Sequence, residues 1–278
     1  MTILCIYHGN CADGFGAAWV VRQALPDADF YAGTYQTPPP DVTGRQVVMV
    51  DFSYKRPVLL DMAAKAESIL ILDHHKSAAE DLVDLPDNVM AVFDMEFSGA
   101  MLAWQHFFPG TVPPRLIEHI QDRDLWRFAI PGTREIMSSV FSYPYEFDVW
   151  DQLITRDIAT LQSEGMAIDR KFQKDMLELL KGMTRRMVIG GISVPVANLP
   201  YTFSSEAGHL MAQGEPFAAC YWDTPNGRVF SLRSSDVGQD VSAVAKLYGG
   251  GGHRNAAGFS VPFSHPLASN TDICITPE

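Results

Sequence analysis

Three apolar runs in this chain each stop at a residue that could ligate a metal ion. Ile69-Leu70-Ile71-Leu72 stops at Asp73-His74-His75, Ile3-Leu4-Cys5-Ile6-Tyr7 at His8, and Val47-Val48-Met49-Val50 at Asp51. One such ending is ordinary, since Asp and His are frequent in loops; three call for a shared cause. Carboxylate and imidazole without thiolate form the ligand set of Mn²⁺, Mg²⁺ or a mixed dinuclear centre rather than of a structural zinc. After His8, the small residues from Gly9 to Ala18 lead into a helix, so the backbone there can approach a ligand closely. That turn holds Asp13, either a ligand or the helix N-cap. It is not G-x-G-x-x-G, so a dinucleotide cofactor is not indicated.

The elements that must position these residues follow from the same pattern. Apolar runs without alternation are expected of strands buried on both faces in a parallel sheet, and ligands bind beyond the carboxyl ends of such strands. Residues 57 to 66 read as a crossover helix, and strand, helix and strand at this spacing make βαβ units. A further run, Val89 to Phe93, ends in Asp94, ranked as a turn or capping residue. Ser98 is the expected N-cap of a helix through Phe108. Residues 111 to 185 look helical throughout. Within them Leu116, Ile117, Ile120 and Trp126 would partly bury Asp122 or Asp124 in an otherwise charged run.

The helix from about Asp157 to Arg186 precedes Gly190-Gly191, where the domain boundary is placed: residues 1–186 with the metal ligands and a helical extension, residues 187–278 a smaller α/β domain. Strands are expected at 192–198, 217–222 and 229–233, with Pro225-Asn226-Gly227 as a hairpin turn. A helix from Val241 to Tyr248 leads into four glycines, Gly249 to Gly252, then His253-Arg254-Asn255. Free amides in such a loop can form an anion-binding nest, with His253 and Arg254 as added donors.

Hydrophobic content of 47% and charged content of 19% are those of a globular protein. A net charge of −12 argues against binding long duplex nucleic acid, which draws its affinity from Lys and Arg. Cys5, Cys11, Cys220 and Cys274 are scattered, so neither a disulfide framework nor a zinc knuckle is indicated. The start runs directly into a strand and no run reaches the length of a membrane span, which gives an expectation of a cytoplasmic protein with no membrane partner.

These residues, in this order, resemble the DHH phosphoesterases with a C-terminal DHHA1 domain, a group that includes RecJ, nanoRNases and cyclic-dinucleotide phosphodiesterases. The likeness covers the turn from His8 to Gly14, Asp51, Asp73-His74-His75, Asp122 and the glycine loop. It implies a dinuclear Mn²⁺ site, with Mg²⁺ as the other candidate, between two α/β domains. Asp51 would bridge the metals, with His8 and Asp13 beside it, and His74 and Asp122 would bind the second ion. Asp73 and His75 resemble the catalytic pair that orients His74 and meets the substrate phosphate. Arg233, Gly250, Gly251, Gly252, His253, Arg254 and Asn255 resemble the part that grips a nucleotide end. One departure is clear: many members carry two aspartates separated by one residue in the first motif, and here that span is Cys11-Ala12-Asp13.

The implied activity is hydrolysis of phosphodiester bonds in short oligonucleotides or related small nucleotides by an activated water. Inorganic pyrophosphatase and a non-catalytic nucleotide sensor with a degenerate metal site are the rivals. A processive exonuclease on long single strands is disfavoured, because the sequence shows no basic groove or aromatic stacking series. The sequence does not fix the oligomeric state and is compatible with a homodimer.

Overall fold

In the computed structural model, which describes residues 2–35 and 37–269, the three ligand-ended runs are neighbouring strands of one sheet. The chain divides into two compact units, Met1–Lys171 and Phe172–Glu278. The division falls inside a long helix, ahead of the boundary expected after residue 186.

The first unit is built on β1 (Ile3–His8), α1 (Ala12–Ala24), β2 (Asp29–Gly33), β3 (Gln46–Val50), α2 (Arg56–Ala63), β4 (Ser68–Asp73), α3 (Lys76–Asp81) and β5 (Val89–Phe93). The strands form a five-stranded, wholly parallel sheet in the order β2-β1-β3-β4-β5. Its burial explains the runs without alternation. Leu4, Ile6, Val47, Met49, Ile69 and Ile71 pack with α2 on one face, while Cys5, Val48, Val50 and Leu72 pack with α1 and later helices on the other. Helices α4 (Gly99–Phe107), α5 (Arg115–Asp124), α6 (Thr133–Val140) and α7 (Phe147–Thr155) complete that second layer around Trp150, Leu116 and Ile136. Ser98 caps α4 through a hydrogen bond accepted from Met101 N, and Asp94 accepts from Glu96 N in a turn, as expected. Helix α8 (Ile158–Met183) carries the chain into the second unit.

The second unit contains β6 (Thr184–Ile189), β7 (Ile192–Asn198), α9 (Ser204–Met211), β8 (Ala218–Thr224), β9 (Gly227–Arg233), α10 (Val241–Lys246), β10 (Gly251–Gly252) and β11 (Ala256–Val261). They form a six-stranded sheet ordered β10-β11-β9-β8-β7-β6, with β7 and β8 parallel and the other pairs antiparallel. Val194, Val196, Phe230, Leu232 and Phe259 bury one face with α10. Ala197, Leu199 and Cys220 meet Met176 of α8 and Ala207 of α9 on the other.

Strand β6 lies where the sequence suggested the end of a helix. Gly190 and Gly191, with φ of 60° and 81°, are the two-residue turn between β6 and β7, which is a hairpin that needs positive φ at both positions. The Pro225-Asn226 turn between β8 and β9 agrees with the sequence. Cys5, Cys11 and Cys220 are free thiols, and Cys274 lies outside the described residues. Among the described residues no helix is long and apolar enough to cross a membrane.

Candidate metal centre

Parallel register delivers the strand-end residues to one edge. Tyr7 pairs with Val50 and Val50 with Leu72, so His8, Asp51 and Asp73 each follow a matched position on three adjacent strands. The order 2-1-3-4-5 also reverses direction between β1 and β3, which opens a crevice beside His8 and Asp51. Asp51 itself has φ of 54°, a left-handed conformation uncommon for a residue with a side chain, and its amide bonds to Leu72 O.

His74 stands at the middle of an acidic cluster. Its Nε2 is 3.0 Å from Asp51 Oδ1, 3.5 Å from Asp124 Oδ2 and 3.7 Å from Asp13 Oδ2. On the other carboxylate oxygen of Asp51, His8 Nδ1 approaches to 3.3 Å. Two sets of donor atoms, His8, Asp51, His75 and Asp13, Asp51, His74, each lie within 4.8 Å of one another, and Asp51 belongs to both. Asp13, Asp51 and His74 are buried.

Charges so crowded shift their protonation. Burial raises the Asp13 carboxyl well above its usual range, and the charges of Asp51 and Asp124 raise it further. Asp124 is also raised, by burial first and by Asp51. For Asp51 burial pulls upward too, but hydrogen bonds with His74 and His8 outweigh it and hold the carboxyl below its usual value. His74 is pushed up to about 10: burial lowers it, and the Asp51 hydrogen bond with the charges of Asp124, Asp51 and Asp13 more than reverses that. Two buried carboxylates and the half-buried Asp124 around one imidazole repel one another unless positive charge lies between them, so the donor set fits a divalent cation of the Mn²⁺ or Mg²⁺ type.

Asp13 is not the cap of its own helix. Its carboxylate accepts from Gly99 N at 2.6 Å and Ala100 N at 3.0 Å, at the N-terminus of α4, which fixes its orientation toward the cluster. Gly99 is required there, because a Cβ would overlap Asp51. Cys11 stands where the resemblance would place an earlier aspartate; burial raises its thiol pKa, and His8 lowers it in part.

Asp73 turns toward the other histidine. Oδ1 accepts from His74 N at 2.7 Å and His75 N at 3.2 Å and bonds His75 Nδ1 at 2.7 Å, while Oδ2 accepts from Ser53 Oγ at 2.6 Å. Burial works to raise this carboxyl, but the charge and hydrogen bond of His75 bring it down to about 2. Asp73 therefore orients the ring of His75, not that of His74 as the resemblance implied.

Asp122 is a correction. Its carboxylate accepts from Ala129 N at 2.8 Å, Ile130 N at 3.0 Å and Thr133 Oγ1 at 2.6 Å, which fully engages it in shaping the loop after α5. Asp124 approaches His74 in its place. The two are a helical step of about 200° apart, so only one can face the cluster.

In the second unit, Arg233 at the end of β9 donates to Ser231 Oγ, Leu232 O and Ser205 Oγ. The glycine loop is a hairpin: Gly251 pairs with Gly258 and Gly252 with Ala257, while Gly250 N bonds to Ala245 O and His253 N to Ala256 O. Those last two amides are therefore not donors to an anion as the nest expectation had them. Arg254 donates to Asp236 O and Gly238 O, and Asn255 Nδ2 to Asp236 Oδ1, so both tie down the 235–238 loop.

No family model matches the chain. It is 30% identical over 281 residues to an uncharacterized protein of Acanthamoeba polyphaga mimivirus, covering 92% of this chain and 66% of that protein, so it spans just under two thirds of the relative's length. Among solved structures it is similar to the DHH domain of a member of the s1p family of ribosomal proteins, at 15% identity and TM-score 0.60, over 93% of this chain and 82% of that one. It is similar to RecJ of Thermus thermophilus in complex with Mn²⁺, at 14% identity and TM-score 0.53, over 94% of this chain and 50% of that one. A pGpG-specific phosphodiesterase from Vibrio cholerae matches at 14% identity and TM-score 0.50, over 95% and 94% of the two chains.

Proposed function

Starting from the DHH/DHHA1 fold that this chain adopts, we propose that it is a metal-dependent phosphoesterase acting on short oligonucleotides or related small nucleotides. The observation that carries this is the convergence of Asp13, Asp51 and Asp124 on Nε2 of His74 at the carboxyl edge of the parallel sheet. Asp51, common to both donor groups, would be the shared carboxylate, and His8, Asp13, His74 and Asp124 would complete the ligands, with Asp124 in place of Asp122. Bound divalent cations would supply positive charge for phosphoryl oxygens and lower the pKa of a water.

The chain's own groups do the rest. Asp73 locks His75 by its Nδ1, so that Nε2 of His75 would meet a phosphate oxygen in a fixed orientation. The α4 amides on Asp13 hold its carboxylate in place without solvent, which keeps the cluster rigid. In the second unit, Arg233, His253 and the residues around them remain the proposed nucleotide-binding element. The likeness to RecJ and to the pGpG-specific phosphodiesterase supports a nucleotide phosphodiester as the substrate class.

The test is release of mononucleotide from a 5′-phosphorylated diribonucleotide, with Mn²⁺ and with chelator, followed chromatographically. Metal-dependent release is expected. A folded protein that leaves the dinucleotide intact but cleaves inorganic pyrophosphate would replace this reading with that of a pyrophosphatase.

A further inference from the structure

The loop that follows Asp124 builds a surface that the metal cluster does not need. Trp126 and Phe128 both have left-handed backbone, with φ of 57° and 48°, which is costly for bulky side chains. Asp122 enforces it: its carbonyl oxygen accepts from Arg127 N and Phe128 N, and its carboxylate from Ala129 N and Ile130 N. The result sets the two rings edge to face, 5.0 Å between centroids at 81°. Arg123 stands 4.3 Å over the Trp126 ring and 5.8 Å from that of Phe141, and Arg134 stands 3.7 Å over Phe128. Arg134 and Phe141 are exposed, and Trp126 and Phe128 are partly so.

In a protein of net charge −12, two guanidiniums are gathered on three aromatic rings at one place. Arg123 is the immediate chain neighbour of Asp124, which faces His74. Guanidinium and aromatic faces together suit one ligand class: a nucleobase stacked on the rings with its phosphate on the arginines. A loop-stabilising ladder alone would not require strained aromatics to be displayed at the surface.

We propose that Arg123, Trp126, Phe128, Arg134 and Phe141 form a subsite for a nucleobase and its phosphate, next to the metal cluster of the first unit. This rests on the phosphoesterase reading and gives it a specificity element: the substrate carries a stackable base, and a base-free phosphodiester loses this contact.

The experiment uses the full chain carrying Asp51→Asn to block turnover, with Mn²⁺ present, and follows fluorescence anisotropy of a dye-labelled pentanucleotide and of the same oligonucleotide with abasic sites. Arg134→Ala and Phe141→Ala are then added singly; both positions are exposed, and a thermal melt checks the fold. The expected result is that Phe141→Ala weakens pentanucleotide binding about tenfold while changing abasic binding much less, and that Arg134→Ala, which removes a phosphate contact both ligands keep, weakens both. In the turnover-competent protein, Phe141→Ala should raise KM for a dinucleotide more than KM for the corresponding dinucleotide with an abasic site. Equal losses on base-bearing and abasic ligands for Phe141→Ala, or unchanged pentanucleotide affinity in both variants, would overturn the subsite. Patch-dependent binding by a protein that hydrolyses no phosphodiester would overturn the enzymatic reading and uphold the subsite. Dinucleotide turnover indifferent to both variants would do the reverse.

Discussion

The carboxylate of Asp124 lies 3.5 Å from Nε2 of His74, while Asp122, two residues earlier on the same helix, turns to the amides of Ala129 and Ile130. Their substitutions should therefore fail in different ways. Asp124→Asn is expected to weaken Mn²⁺ binding at least tenfold, by calorimetric titration, with little change in melting temperature. Asp122→Asn should cost about 1–3 kcal/mol of stability, because an amide cannot accept from all three donors. If the Asp122 variant instead keeps its stability and loses the metal, the assignment of the two residues is inverted.

Asp51 is the carboxylate shared by both donor groups. Asp51→Asn and His74→Ala should each abolish turnover of a dinucleotide in Mn²⁺. More than about a tenth of the wild-type rate, a loss under roughly 1.4 kcal/mol, would remove them from the reaction.

Gly99 stands where any side chain would run into Asp51. Gly99→Ala must push the start of α4 away, and with it the two amides that hold Asp13. The expectation is a loss of Mn²⁺ affinity without loss of any ligand, together with destabilisation of about 1–3 kcal/mol, as for overpacking elsewhere. Wild-type metal affinity in this variant would show that the position of Asp13 is not set by α4.

Arg233 is held in place by Ser205 and Ser231 at the end of β9. If it binds a nucleotide end, Arg233→Ala should reduce kcat/KM for a diribonucleotide far more than for bis(p-nitrophenyl) phosphate. Matching losses would assign it to the stability of the second unit, which a melting curve would register.

His119 is buried, hydrogen-bonds Thr133 through Nδ1, and has its pKa lowered by burial and by Arg115. Above the unfolded pKa of about 6.5 the ring is neutral in both states and its contribution to stability is fully present. As pH falls below that value the unfolded chain takes up a proton that the folded chain resists, so stability declines. The decline should approach about 1.4 kcal/mol per pH unit until the folded pKa is reached. Urea melts from pH 7 to 5 should show this slope in wild type and a shallower one in His119→Gln; identical slopes would refute the assignment.

The sequence by itself determined the ligand-bearing strands. Apolar runs without alternation can only be buried on both faces, and parallel pairing in register then brings His8, Asp51 and Asp73 to one edge, whatever the rest of the chain does. Strands β2, β6 and β10, which the sequence pattern does not announce, are edge strands: Asp29 and Ala32 of β2 and Thr184–Arg186 of β6 are exposed, and β10 is two glycines, so none carries that apolar signature. Tertiary structure alone decided which acidic residue of α5 faces His74, because composition does not report the rotation of a helix about its axis. It also decided that Gly250 and His253 give their amides to backbone carbonyls, since glycine is needed equally for an anion nest and for a tight hairpin. The Arg123–Trp126–Phe128–Arg134–Phe141 surface was hidden for a related reason. Its members are irregularly spaced in the chain, and only the left-handed turn held by Asp122 gathers them into one place.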